Sequence, residues 1–237
     1  MSKPFRFKQF TIAQDKTAMK VGTDGVLLGA WASVEGNPFS ILDIGAGTGL
    51  IALQLAQRSH AEVIDAIEID DNAYEQAVEN FENSPWSDRL FCYHAGLDEF
   101  VDEIDDKYDL IVSNPPFYTE NYKTENTQRD RARFADALPF EELLAGVSHL
   151  LEPTGTFHTI IPFKEYDHFI HLAEANHLFP YKTCHVQGNP KANYKRSLIS
   201  FSKEKTTHTQ EELVIEKERH QYTEAYILLT KDFYLKI

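Results

Sequence analysis

The sequence predicts an α/β protein: a seven-stranded, mostly parallel sheet with helices on both faces and an antiparallel hairpin at one edge. Three observations predict it. Short apolar runs of strand length alternate with longer segments of helical spacing from residue 39 to residue 177. A glycine-rich turn closes the first of those strands. Two late strand-like runs are separated by a connector too short for a crossover helix.

The elements follow in order. FSILDIG (residues 39–45) has the near-continuous apolar pattern of a strand buried on both faces, and TGLIALQLAQR (48–58) spaces its apolar residues as one face of a helix requires. EVIDAIEI (62–69) is the second strand, and DNAYEQAVENFEN (71–83) is an amphipathic helix opened by an Asp/Asn cap. RLFCYH (89–94) and YDLIVS (108–113) are the third and fourth strands. FEELLAGVSHLLEP (140–153) is helical, GTFHTIIP (155–162) a strand and KEYDHFIHLAEANH (164–177) a helix. LFPYKTCHVQ (178–187) and RSLISFSK (196–203), joined by GNPKANYK, pair antiparallel at the sheet edge. ELVIEKE (212–218) and YTEAYILLTKDFYLKI (222–237) supply a short strand and a terminal helix. Strands alternating with helices of this length imply βαβ units, hence a parallel sheet covered on both faces.

Composition excludes several classes. Hydrophobic residues make up 42% and charged residues 25% of the 237 residues, ordinary globular usage, and no apolar run approaches the ~20 residues of a membrane-spanning helix. The opening MSKPFRFKQF lacks the apolar core and cleavage site of a signal peptide, so a cytoplasmic chain is expected. Cys92 and Cys184 each fall within a strand, giving neither a disulfide framework nor a thiol pair at metal spacing. The net charge of −14 argues against a polyanionic partner as a sum, but its distribution is uneven. Lys3, Arg6 and Lys8 interleave with Phe5, Phe7 and Phe10; Arg129, Arg131 and Arg133 cluster; Lys182, Lys191, Lys195, Arg196, Lys203 and Lys205 form a third basic stretch. For any one of these, ordinary solvated surface is the default reading.

The turn DIGAGTGL (43–50) carries the first chemistry. Gly45, Gly47 and Gly49 permit a tight strand-to-helix turn that a ligand can approach closely, and Glu68, at the end of the next strand, is placed to accept both hydroxyls of a ribose. A packing turn between strand and helix is the competing explanation. The spacing is G-x-G-x-G preceded by Asp43, not the G-x-G-x-x-G of a pyrophosphate cradle. An acid there is unwelcome beside a pyrophosphate and welcome beside an ammonium group. S-adenosylmethionine has that ammonium, a ribose and no phosphate, so it is the cofactor expected. HAGLDEF (94–100), after the third strand, lies where its adenine would sit.

DIGAGTG, the Glu68 strand end and NPPF (114–117) after the fourth strand together resemble the class I S-adenosylmethionine-dependent methyltransferases that modify planar nitrogens. FKQFTIAQDKTAMKVGTDGVLLGAWA (7–32), NSPWSDR (83–89), QRDRARF (128–134) and YTEAYILLTKDFYL (222–235) extend the similarity over nearly the whole chain, to the bacterial methyltransferases of adenine N6 at position 37 of valine tRNA.

The resemblance implies that the Asn114 side-chain oxygen and the Pro115 carbonyl accept the two N–H groups of the adenine amine, and that Phe117 stacks on a base swung out of its RNA context. It also implies that Thr23 and Asp24 help close the methionine end of the cofactor, although TDG is equally a helix-entry turn. Relatives often carry an acid near the cofactor adenine where this chain has Leu97, with Asp98 one step later; the Leu97 backbone N–H then serves, with Asp98 turned outward. The basic residues Lys3, Arg6, Lys8, Arg129, Arg131, Arg133, Lys195 and Arg196 become candidates for RNA phosphates.

Two alternatives keep the scaffold: the same chemistry on guanine N2 of ribosomal RNA or a glutamine amide of a release factor, and a non-catalytic RNA- or cofactor-binding module. His168, His171 and His177 find no completing carboxylate or thiolate, so no metal is expected. With no repeat or linker, the chain is expected to be one monomeric domain: an extension (1–38) closing the cofactor site, a core sheet (39–203) and a C-terminal strand and helix (204–237).

Overall fold

The computed structural model describes residues 3–17, 19–116 and 138–237. A short hairpin, β1 (Phe5–Arg6) with β2 (Thr11–Ile12), precedes α1 (Thr23–Trp31). Then come β3 (Ser40–Ile44), α2 (Leu50–Arg58), β4 (Val63–Glu68), α3 (Asp71–Glu82), β5 (Leu90–His94), α4 (Leu97–Glu103) and β6 (Tyr108–Ser113). Beyond the undescribed segment lie α5 (Phe140–Leu150), β7 (Leu151–Pro162), α6 (Tyr166–Ala175), β8 (Phe179–Gln187), β9 (Tyr194–Ser202) and β10 (Thr209–Val214). A small hairpin, β11 (Glu216–Glu218) with β12 (Gln221–Tyr222), leads into α7 (Glu224–Thr230).

The main sheet runs β10-β8-β9-β7-β6-β3-β4-β5, and only β9 opposes the other strands. The expected hairpin is therefore present as β8–β9. It is not the edge, because β10 adds parallel to β8 as an eighth strand. The chain leaves β9 at Ser202 and reaches the far side of β8 through residues 203–208. Glu211 and Glu212, on this outer strand, put charge where an open edge would otherwise invite pairing.

Two layers of side chains sandwich the sheet. Alternation along β3 sends Ile41 to one face and Leu42 and Ile44 to positions on the other, and both sets are at most 1% exposed. On the first face, Val26 to Leu28 of α1, Leu50 to Leu55 of α2 and Phe81 of α3 cover Ile41, Ile64 and Leu110. On the second, Leu97, Phe100, Leu143, Leu144, Val147 and Phe169 from α4 to α6 cover Leu42, Ile44, Ile67 and Ile111. Helix ends are closed by side chains. Asp70 accepts from Ala73 N at 2.8 Å, Arg58 donates to the Gly29 and Ala32 carbonyls at 2.8 and 2.7 Å, and Arg89 donates to the Ala56 carbonyl at 2.6 Å. Cys92 on β5 and Cys184 on β8 stand near opposite edges of the sheet as free thiols, and burial pushes both pKa values up to about 12.

The two ends of the chain differ from the simplest sequence pattern. The terminal helix stops at Thr230 because the chain turns to meet the N-terminal hairpin: Lys8 N donates to the Phe233 carbonyl at 2.8 Å and Phe7 bridges Tyr234. Phe7 and Phe10, expected among basic residues on a surface, are 4% and 6% exposed, stacked 4.7 Å apart and packed near Tyr234 and Trp86. No described helix is long and apolar enough to cross a membrane. Phe7→Ala should therefore cost about 3 kcal/mol of folding stability, whereas Lys3→Ala should fall within about 0.5 kcal/mol of wild type; urea unfolding midpoints distinguish the two.

Candidate active site

After β3 the chain builds β4 and β5 on one side, and with β6 it returns to the other side of β3. The loops leaving β3 and β6 therefore diverge, opening a crevice at the carboxyl ends of adjacent strands. Ile44 and Ser113 are register partners there, and the Ser113 hydroxyl donates to the Ile44 carbonyl at 2.9 Å. That bond sets Asn114, half-buried, and Pro115, buried, beside the start of the glycine turn. Phe117 lies outside the described residues, as do Arg129, Arg131 and Arg133.

The turn itself needs its glycines. Gly45, Gly47 and Gly49 have φ of +71°, +59° and +77°, and a Cβ on Gly49 would stand 2.4 Å from a Phe81 ring carbon. Above Gly45 and Gly47, by contrast, no atom of the described residues lies within 4 Å of where a Cβ would be. Glu68 stiffens the turn: one carboxylate oxygen accepts from Gly47 N at 2.7 Å, the other from Asp70 N at 2.9 Å. It is only 9% exposed, and each oxygen retains a second lone pair for another donor.

Asp43 stands behind the turn, not at its mouth. It is fully buried; one oxygen accepts from Ala52 N in the first turn of α2 at 3.1 Å, and Oδ1 has no hydrogen-bond partner among the described residues. Burial, aided by the Glu68 charge and opposed by the Ala52 bond, pushes its pKa up to about 7. A buried carboxyl oxygen left unsatisfied, open space over two glycines and a ribose-competent acid fit a ligand with a cationic end and a nucleoside end. S-adenosylmethionine has both.

The remaining expected residues are distributed around this crevice. Thr23 opens α1, and Asp24 in its first turn accepts from Arg196 Nε of β9 at 2.7 Å, so two residues expected to serve cofactor and RNA separately form one ion pair. Leu97 begins α4 and is buried, with its side chain against Gly146. Asp98 is exposed, its carboxylate folded back beside Gly96. Lys195 is exposed next to Arg196. Lys3 and Arg6 are exposed on the N-terminal segment, while the Lys8 ammonium caps the Lys231 carbonyl at 2.6 Å. His168, His171 and His177 are exposed, and no group of three or more His, Cys, Asp or Glu able to hold a metal occurs among the described residues.

Sequence patterning alone missed two features. Ile69, immediately after Glu68, is 57% exposed and approaches Gly96, offering an apolar surface between the turns after β4 and β5. On α3, the inward stripe is Ala73, Gln76, Ala77, Asn80 and Phe81, so two amides occupy core positions. Asn80 clamps Ala13 through both its N–H, at 2.8 Å, and its carbonyl, at 3.0 Å, and also donates to the Thr48 carbonyl at 2.9 Å; Gln76 accepts from Lys16 N at 3.0 Å. The N-terminal strap is thereby tied to the glycine turn. Polar residues on an otherwise apolar helical stripe were the signal.

Comparison with known proteins adds the following. Residues 26–162 match the methyltransferase small domain family. A tRNA1(Val) (adenine(37)-N6)-methyltransferase of Flavobacterium psychrophilum is 64% identical over 233 residues, covering 98% of this chain and all of that one. The protein of the same name from Christiangramia forsetii is 61% identical, covering all of this chain and 99% of its own. Among solved structures, a predicted O-methyltransferase of Agrobacterium tumefaciens superposes with a TM-score of 0.70 at 18% identity, over 89% of this chain and 96% of that one, a likeness of fold.

Asp43 gives a pH signature. Its folded pKa lies above its unfolded value near 3.8, so its contribution to stability is complete below that value and is lost as pH rises to about 7. Asp43→Asn should remove that component of the decline, and thermal midpoints recorded from pH 4 to pH 8 for both proteins should diverge in this direction.

Proposed function

The chain belongs to the methyltransferase small domain family and, within it, to the tRNA1(Val) (adenine(37)-N6)-methyltransferases, and we propose on that footing that it methylates N6 of adenine 37 in valine tRNA. The observation that carries the assignment of the site is the Ile44–Ser113 register, which sets the Asn-Pro-Pro segment beside the glycine turn. When bound, S-adenosylmethionine supplies an electrophilic methyl carbon on a sulfonium.

The protein's own groups do the positioning. The glycine turn leaves room above Gly45 and Gly47, Glu68 accepts the ribose hydroxyls, Ile69 lies against the adenine face, and the Leu97 N–H serves its edge. Asp43, ionised, offsets the ammonium group from behind the turn. Thr23 and Asp24 border the methionine end, and the strap held by Asn80 and Gln76 closes the site. The Asn114 side-chain oxygen and the Pro115 carbonyl accept the two N–H groups of the acceptor amine. An exocyclic amine conjugated with its ring is a poor nucleophile, and gripping both N–H bonds favours pyramidal nitrogen with its lone pair exposed. Phe117 stacks on the base. The chemistry rests on position, with no strongly shifted general base. The site works as a monomer in the cytoplasm, where its RNA is.

Labelled cofactor offered with total tRNA, ribosomal RNA and release factor should mark tRNA, at an adenine identified by nucleoside mass spectrometry; label confined to protein would overturn the reading. Asn114→Ala should lower turnover by at least ~100-fold while cofactor affinity by calorimetry stays within about two-fold, because the side chain touches only the acceptor. Glu68→Ala should instead weaken cofactor binding about 10-fold or more, since a charged hydrogen-bond acceptor is lost.

A further inference from the structure

A cluster of rings stands at the carboxyl edge of the sheet, outside the residues assigned above. Phe163 follows the last residue of β7 and is 37% exposed. Its ring centroid lies 5.0 Å from His185 on β8 and 5.2 Å from Tyr194 on β9, and His185 is in turn 5.5 Å from Tyr194 and 5.0 Å from Tyr166. Register fixes where this cluster sits. Thr159 of β7 pairs with Ser113, and Pro162 pairs with Arg196 of β9, so Phe163 follows the carboxyl end of the strand next to β6, the strand from which the Asn-Pro-Pro segment departs. β9 is two strand spacings from β6, about 10 Å.

Packing alone does not account for the cluster. Phe157, Phe169 and Phe201, the phenyl groups beneath the same sheet region, are fully buried, whereas Phe163 keeps more than a third of its surface in water. Its neighbours are held in place. His185 Nδ1 and Ser197 Oγ are 3.0 Å apart, and the Tyr194 hydroxyl donates to Glu212. Burial is the main cause lowering the His185 pKa, with His208 adding to it and Glu212 and Asp167 opposing; the ring is therefore neutral near pH 7 and joins the others as an apolar surface. Cations flank the rings: Lys191 and Lys195 are exposed on either side of Tyr194 in the chain, and Lys164 adjoins Phe163 while pairing with Glu165 at 3.2 Å. Of the nearby acids, Glu165 pairs with Lys164 and Asp24 with Arg196, Glu212 accepts from the Tyr194 hydroxyl, and Asp167 is exposed.

Flat rings with an open face, flanked by cations, suit stacked bases and their phosphates better than a protein segment. We propose that Phe163 and Tyr194 form a shelf for an unpaired base neighbouring the adenine delivered to Asn114, with Lys191 and Lys195 meeting the phosphates on its flanks. The proposal rests on the RNA reading of the site. It explains how an acidic protein holds a single-stranded loop: the grip is local and sits beside the reacting base.

The test uses the full-length protein, valine tRNA and an anticodon stem-loop of the same sequence. Phe163→Ala and Tyr194→Ala should each raise KM for RNA about 10-fold, the loss expected for one base–aromatic stack, with cofactor affinity and thermal midpoint close to wild type. Tyr194→Phe keeps the ring and loses only the Glu212 bond, so its KM should stay near wild type. Removing the base next to the target, as an abasic site, should raise KM for wild type and leave the Phe163→Ala, Tyr194→Ala double variant nearly indifferent. If wild type methylates tRNA but these variants keep its KM, or Tyr194→Phe costs as much as Tyr194→Ala, the shelf is wrong while the function stands. If the abasic site penalises wild type and double variant equally, the shelf is likewise wrong. If wild type labels only protein, both fall together.

Discussion

A single register, Ile44 opposite Ser113, governs the site, because it sets the heights of the two strand ends from which the glycine turn and the Asn-Pro-Pro segment depart. Strands five and six residues long, buried on both faces, cannot slip by one place without turning every core side chain outward. The relative position of the two loops is therefore held by the whole core, and the Ser113 hydroxyl adds a local lock. A reaction that depends on alignment more than on acid–base strength is well served by such a frame.

Polar groups inside the first helical layer serve the same end. Asn80 satisfies three backbone groups, and Glu68 satisfies two before any ligand arrives. Asp43 differs from these two, with one oxygen that has no partner among the described residues in a fully buried setting. Such a group destabilises the protein in its charged form, and its placement behind a ligand turn is where that cost has a functional explanation.

Most of this architecture was legible because the signals were periodic. Alternation of apolar strands with amphipathic helices located β3 to β6 and α2, α3, α5 and α6 close to their observed bounds, whereas β7 begins at Leu151, inside the stretch read as helix, and the glycines with Glu68 marked the turn. What escaped depended on contacts distant in sequence. The pattern predicts a short strand at 212–218, but not that it starts at Thr209 and joins the sheet as β10, whose residues are mostly exposed and carry no apolar alternation. α4 spans only Leu97–Glu103, too short for a helical period to stand out. The phenylalanines of the first ten residues resembled a surface motif because nothing local shows that Tyr234 and Trp86 pack near them. The Asp24–Arg196 pair joins residues 172 positions apart, beyond any local pattern.

The amide of Asn80 has a dynamic consequence. Because one side chain bonds both Ala13 and Thr48, lifting the strap removes contacts that fix the same amide that braces the glycine turn. A shared amide of this kind couples the two segments, and their amide protons are expected to exchange with solvent through a common fluctuation. A ligand that settles the turn should therefore slow exchange in the strap as well, through the amide the two segments share.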